Sequence, residues 1–236
     1  MPMGILAIEC GGDALSLALS TPTGQTEDIT LPGGSAVSSQ LLPQALALLN
    51  RHGLRVVDLQ AIAFACGPGS FTGVRTACAV AQGLAWAASR QRGQALALIA
   101  IDSLMIVAEM ARRLQGCEDV LVAIDARMGE VYCGRYRCCG DQVWLQGGDV
   151  QLMAPAQLQL PPGAVLAGNA LIVHQDSLRA AGLPIDTRLA VAAHASAALA
   201  LAPALLAQGL SLAPEDAHPL YVRNRVALTT AERARG

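Results

Sequence analysis

At 236 residues the chain is long enough for one large domain or two smaller lobes around a sizeable core. It is 53% hydrophobic and only 14% charged, which excludes disorder for most of its length. Net charge is −2, all 16 basic residues are arginine and no basic block is visible, so tight independent binding to a nucleic-acid backbone is excluded too.

The first predicted elements are strands over 4–8 and 14–20, joined by the turn Cys10-Gly11-Gly12-Asp13. A third strand over 25–31 ends at Pro32-Gly33-Gly34. Ser38 or Ser39 is expected to cap a helix on which Leu41, Leu42, Ala45, Leu48 and Leu49 share one face, with Gly53 ending it. The apolar run 59–65, with Ile and Phe, reads as a buried strand.

That strand leads into Gly67-Pro68-Gly69-Ser70-Phe71-Thr72-Gly73-Val74-Arg75, a strand-to-helix corner. Its glycines permit backbone angles closed to other residues, and Ser70 or Thr72 can cap the helix that follows. Such a corner either holds an anion at the helix N-terminus or serves as a tight structural turn. It lacks the lysine of a Walker loop and the spacing of a dinucleotide fingerprint. The helix over 72–89 carries small Ala77, Ala81, Gly83, Ala85 and Ala88, with Val74, Val80, Leu84 and Trp86 around the rest and only Arg75 and Gln82 strongly polar. A helix apolar all round is covered all round: one face by the sheet, the other by a partner or by the first helix. A strand over 95–100 and a helix over 103–114 complete the first half.

The second half repeats the plan. Strands over 120–125 and 130–137 flank the turn Arg127-Met128-Gly129, and a third spans 142–152. A short helix near 155–158, a strand over 164–167 and helices near 171–181 and 189–208 follow. The repeat predicts a duplicated mixed-sheet α/β unit: an N-terminal lobe over 1–115, a C-terminal lobe over 116–228 and a disordered tail over 229–236. No Pro-, Gly- or Ser-rich linker separates the lobes, so close packing is expected. Segment 189–208 has the length of a membrane span, but its weakly hydrophobic alanines, His194, Ser196 and Pro203 favour a buried helix pair.

The chemistry-bearing residues are few. Met1-Pro2-Met3-Gly4 has no positive leader, and seven cysteines without a CxxC spacing suggest reduced thiols, so a cytoplasmic protein is expected. His52, His174, His194 and His218 are too scattered to predict a metal site. His52 reads as a helix C-terminal cap and His194 as a core residue. No Gly-x-Ser-x-Gly elbow or partner base supports Ser70 as a nucleophile.

The corner motif, together with Asp125-Ala126-Arg127-Met128-Gly129-Glu130-Val131-Tyr132, resembles the TsaB (YeaZ) family. The likeness runs almost end to end, through Ile5-Leu6-Ala7-Ile8, Ser16-Leu17-Ala18-Leu19, Leu41-Leu42-Pro43, Ala81-Gln82-Gly83-Leu84-Ala85 and Pro219-Leu220-Tyr221-Val222-Arg223. The resemblance implies a two-lobed actin/Hsp70/sugar-kinase-like fold. It also implies a non-catalytic dimerisation subunit of the machinery that makes N6-threonylcarbamoyladenosine beside the tRNA anticodon. Its partners would be a TsaD-type transferase and a TsaE-type ATPase, with a homodimer when isolated and no tight tRNA binding alone. Members pair through the first two helices, which here would engage Leu41, Leu42, Ala45, Leu48, Leu49, Arg75, Ala77, Ala81, Leu84, Ala85 and Ala88. No cofactor or metal is expected on this chain alone, though a nucleotide at the complex interface is compatible with the resemblance.

Departures from the family pattern are Glu9 for the usual Asp, Cys10 for Thr and Val37 for His. ATP-using members of the wider fold keep small and acidic residues in both hairpin turns, whereas Arg127 and Met128 here would occupy a phosphate's place. The competing classes are an active small-molecule ATPase or kinase of this fold and a glycoprotease-like peptidase.

Overall fold

Alternation of small and large apolar residues along the strands decides how the first sheet is layered, because successive side chains point to opposite faces. The computed structural model describes residues 4–140 and 143–223; the predicted tail 229–236 lies outside them. Strands β1 (Ile5–Glu9), β2 (Ala14–Ser20), β3 (Thr26–Pro32), β4 (Ala61–Gly67) and β5 (Ala97–Asp102) form a sheet ordered β3-β2-β1-β4-β5. The β1-β2-β3 meander is antiparallel, and β4 and β5 add in parallel. Leu6, Ile8, Ile62 and Phe64 pack on one face with helices α1 (Val37–Arg51) and α2 (Phe71–Arg92). Ile5, Ala7, Ala61, Ala63 and Ala65 line the other face.

The expected serine cap of α1 is replaced by a different entry. Gly34–Ala36 already turn as a short 3-10 helix, so Ala36 enters α1 in helical geometry and no extended cap residue is available. Ser39 instead donates its hydroxyl to the Ala36 carbonyl at 3.0 Å. Helix α2 starts as expected, with Ser70 Oγ accepting from the Gly73 N–H, and ends at Gly93 with φ 72°. Asp102 caps α3 (Ser103–Gln115) through the Leu104 N–H.

The second sheet holds β6 (Asp119–Asp125), β7 (Val131–Cys138), β8 (Trp144–Gln146), β9 (Gln151–Met153) and β10 (Val165–Ala167). Its order is β10-β6-β7-β8, and β9 also pairs with β7. The strand expected over 142–152 is thus split: β8 pairs with the end of β7 and β9 with its start. Between them Gly148, at φ 129°, takes the chain out of the ladder. The helix expected over 171–181 is likewise broken at His174 into α4 (Ala170–Val173) and α5 (Gln175–Ala180).

The helix pair expected over 189–208 is a 3-10 turn at Thr187–Leu189 and a single helix, α6 (Ala195–Ala207). His194 is its cap rather than a core residue, with Nδ1 accepting from the Ser196 N–H and Nε2 2.9 Å from Thr30 Oγ1. His52 stands at the C-cap of α1, but its ring contacts Glu27 Oε2 at 2.7 Å and ties the helix end to β3. No described helix is long and apolar enough to cross a membrane.

Helices α3 and α6 lie between the two sheets in one continuous core. The small face of the first sheet lets alanine-rich α6 approach, and the Ala195 N–H reaches Ser16 Oγ at 3.0 Å. The chain then returns along the first lobe. Leu212 bridges Leu98, Gln82 Nε2 donates to the Pro214 and Ala217 carbonyls, and the Leu220 N–H donates to Cys66 O at 2.7 Å.

Candidate functional site

The two hairpin turns, the start of α3 and the returning C-terminal segment enclose a cleft of about 710 Å³. In the first turn Glu9 is buried at the end of β1, and its Oε1 accepts the Gly11 N–H at 2.7 Å. Burial pushes its carboxyl up to about 7, against the opposing pull of the Gly11 and Gly12 N–H groups. Cys10 Sγ lies 3.2 Å from the Gly73 carbonyl, and burial with the nearby Glu9 charge pushes its thiol up to about 12. A thiol so held is a packing group, not a nucleophile.

The corner glycines answer to that turn. A Cβ on Gly69 would stand 2.6 Å from Gly11 O, and one on Gly73 only 1.8 Å from Cys10 O. The Ser70 N–H donates to Gly11 O at 2.6 Å. Gly67, at φ 110°, runs beside the Leu220 carbonyl. The motif's glycines are therefore explained by backbone packed on backbone, as a tight structural corner. Phe71 and Thr72 are exposed. The Arg75 guanidinium lies 3.5 Å from the Phe71 ring centroid and donates through Nε to Tyr221 OH at 2.7 Å.

The second turn places Arg127 (φ 63°), Met128 (φ 55°) and Gly129 (φ 75°) in succession in the left-handed region. Arg127 spans both turns, 3.1 Å from Asp13 and 3.3 Å from Asp125. Asp125 is also held by His174 at 2.9 Å, and its N–H by Asn169 Oδ1. Arg223 pairs with Glu130 at 2.9 Å and donates to Ala126 O. The mouth of the cleft is thus an arginine–carboxylate lattice that joins the lobes.

The helix residues predicted to face a partner divide sharply. Leu41, Ala45, Leu48, Leu49, Ala77, Ala81, Leu84, Ala85 and Ala88 are buried in the chain's own core, because α1 covers α2 and the returning segment covers α2's flank. Only Leu42, at 41% exposure, and Arg75 reach the surface. Nor is α2 apolar all round. Its free side carries Arg75, Ala79, Gly83, Trp86 and Arg90, while Leu46 joins Leu42 on α1. The i, i+4 pair Leu42 and Leu46 was a legible signal for that outer face. Ser103 and Asn169, which line the cleft, and His174, which holds Asp125 there, had no such local signal.

Among the described residues no group of three or more His, Cys, Asp or Glu side chains is placed to hold a metal ion. Two mixed α/β units closing on a cleft between equivalent hairpin turns define a two-lobed α/β protein. A family model described as "TsaD: tRNA N6-adenosine threonylcarbamoyltransferase" matches residues 34–219. The tRNA threonylcarbamoyladenosine biosynthesis protein TsaB of Escherichia coli is 33% identical over 231 residues, 95% of this chain and 96% of that one. Its Haemophilus influenzae namesake is 38% identical over 128 residues, covering 54% of this chain and 51% of its own. The solved structure of YeaZ from Pseudomonas aeruginosa superposes with a TM-score of 0.79 at 31% identity, covering 93% of this chain and 99% of that one. A second structure from that organism, described as similar to peptidase YEAZ, gives 0.80 at 31%, covering 94% and 100%. The chain belongs to the TsaB (YeaZ) family of tRNA threonylcarbamoyladenosine biosynthesis proteins.

Proposed function

We propose that the chain is a non-catalytic scaffold for N6-threonylcarbamoyladenosine formation beside the tRNA anticodon. It binds a TsaD-type transferase, works with a TsaE-type ATPase in the cytoplasm, and pairs with itself when isolated. The observation that carries this reading is the uncovered outer side of α1 and α2. Trp86 is 57% exposed and Phe71 49% on α2, and Leu42 and Leu46 are exposed on α1. Small Ala79 and Gly83 between the aromatics let a partner backbone come close. An aromatic anchor flanked by arginine is the composition of an interface centre.

The absence of a reacting role is supported by the cleft chemistry. The Cys10 thiol is held neutral, Ser70 Oγ is taken up as a helix cap, and Arg127 and Met128 stand in the second turn. A scaffold of this kind acts by favouring the transferase's productive state through differential contacts. The test is reconstitution of transfer to tRNA with the transferase, the ATPase and a synthase supplying threonylcarbamoyl-AMP, read by nucleoside mass spectrometry. Omitting this chain should abolish multiple turnover. Ser70, Thr72 or Arg127 variants should lose activity only as far as they weaken folding or the complex. A variant that binds the transferase normally yet abolishes transfer would overturn the reading. Metal-dependent ATP turnover by the purified chain, lost in Glu9→Ala, would replace it with the kinase-like alternative.

A further inference from the structure

Glu9 is the one charged side chain lining the cleft that has no counter-ion among the described residues. Asp13 and Asp125 pair with Arg127, and Arg223 pairs with Glu130. Glu9 is 1% exposed and is held only by backbone N–H groups. Beside it Ser103, 2% exposed, carries a hydroxyl with no hydrogen-bond partner among the described residues. A buried charge without a partner and a buried hydroxyl without one are each costly, and a native fold rarely keeps two together without use.

Both groups line the inner end of the cleft, with Val74, Val107 and Ile124 around them. They converge over Gly11: a Cβ there would stand 3.3 Å from Glu9 Oε1 and 3.7 Å from Ser103 Oγ. Val74 Cγ2 also lies 3.3 Å from that point, so both oxygens face one spot beside Gly11 that a side chain there would occupy.

We propose that this inner end binds the ammonium group of a small organic amine, with Glu9 as its counter-ion and Ser103 Oγ accepting a second N–H. The ligand's apolar body lies against Val74, Val107 and Ile124. An ammonium brings three donors and a charge, which answers both unmet groups at once. An anion would meet Glu9 with no uncommitted cation at that depth among the described residues. A neutral alcohol answers Ser103 but leaves Glu9 uncompensated. The cleft has the volume of a small-molecule site, and apolar walls around a few converging polar groups are the usual composition of one.

The test titrates the full-length chain with benzylamine, with benzyl alcohol as the neutral isostere, followed by calorimetry and thermal unfolding. For a fragment of this size an affinity of about 1 mM is expected, with the alcohol at least about tenfold weaker. Glu9→Gln should erase the preference for the amine. Gly11→Ala, which sets a methyl between the two oxygens, should weaken the amine by about tenfold or more. Gly11 is outside the left-handed region, so its backbone accepts alanine and this variant decides the matter even if Glu9→Gln fails to fold. Equal binding of amine and alcohol, undiminished binding in both variants, a response to magnesium but not to amine, or no response at all would each overturn the proposal. No partner protein enters the experiment, so its failure leaves the scaffold reading untouched.

Discussion

Gly73 and Gly83 lie on the same helix and answer to opposite demands. A Cβ on Gly73 would collide with Cys10 O at 1.8 Å, whereas one on Gly83 meets nothing within 4 Å. Gly73→Ala must push the corner off the first turn and is expected to cost about 3 kcal/mol or more. Gly83→Ala should stabilise the isolated fold by about 0.5–1 kcal/mol, since alanine loses less entropy in a helix. Urea unfolding of both variants checks the pair, and equal effects would refute the close approach. The glycines were legible as a corner in the sequence. Their reason was not, because the carbonyls they avoid belong to a turn some sixty positions earlier. Glu9 offers a second residue-scale check. Its carboxyl rises from an ordinary 4.5 to about 7 on folding, so the folded chain holds a proton that the unfolded chain releases. That stability is full below about pH 4.5 and is lost as pH rises through about 7. Glu9→Gln should therefore gain about 1–3 kcal/mol at pH 8 and nothing at pH 4. Asp102, raised to about 6 by burial and bonded to Tyr136 OH, leaves a smaller slope in both proteins. An unchanged pH profile in Glu9→Gln would contradict the burial cost assigned to it.

At the scale of elements, period and turn chemistry carried most of the fold. The apolar run 59–65, with Ile and Phe, marked β4, and Ser70 marked the start of α2. The errors came where tertiary contacts replaced local ones: the 3-10 entry to α1, the break between β8 and β9, and the ring of His194 at the cap of α6. The largest concerns α2, whose apolar character suggested a partner on its second face. That face is covered by the first helix and by residues 212–217 instead. The consequence is experimental. Leu48→Glu or Ala81→Glu puts a charge into the chain's own core and should unfold it, costing several kcal/mol at about 3–5. Leu46→Glu and Trp86→Ala lie on the outer side and should leave the melting temperature within a few degrees. They should weaken self-association and transferase binding by about tenfold or more, since Trp is the residue type that most often dominates interface energy. Circular dichroism with sedimentation analysis separates the outcomes. Folded outer-face variants with normal assembly would move the interface elsewhere.

For the whole molecule, order along the chain and place in the fold part company after residue 194. The sequence repeat suggests two lobes meeting near residue 115, each with its own elements. In space α6 belongs to the second half yet covers the small face of the first sheet, and the segment to Arg223 runs back beside β5 and α2. Ala195, Ala197, Ala198, Leu201 and Ala202 are buried there with Ile5, Ala7, Ala61 and Ala63. One leucine so buried is worth about 2–3 kcal/mol, and a whole domain is stable by only about 5–15 kcal/mol. Removing α6 and the returning segment therefore takes away more than a first lobe could spare. The fragment 1–115 is expected to show no cooperative melt and no protected amides in β1 or β4. The full chain should unfold in a single transition, with far-ultraviolet dichroism and Trp86 and Trp144 fluorescence coinciding, because the core between the sheets is continuous. A fragment that melts cooperatively on its own, or an intact chain that unfolds in two separated steps, would show two independent lobes.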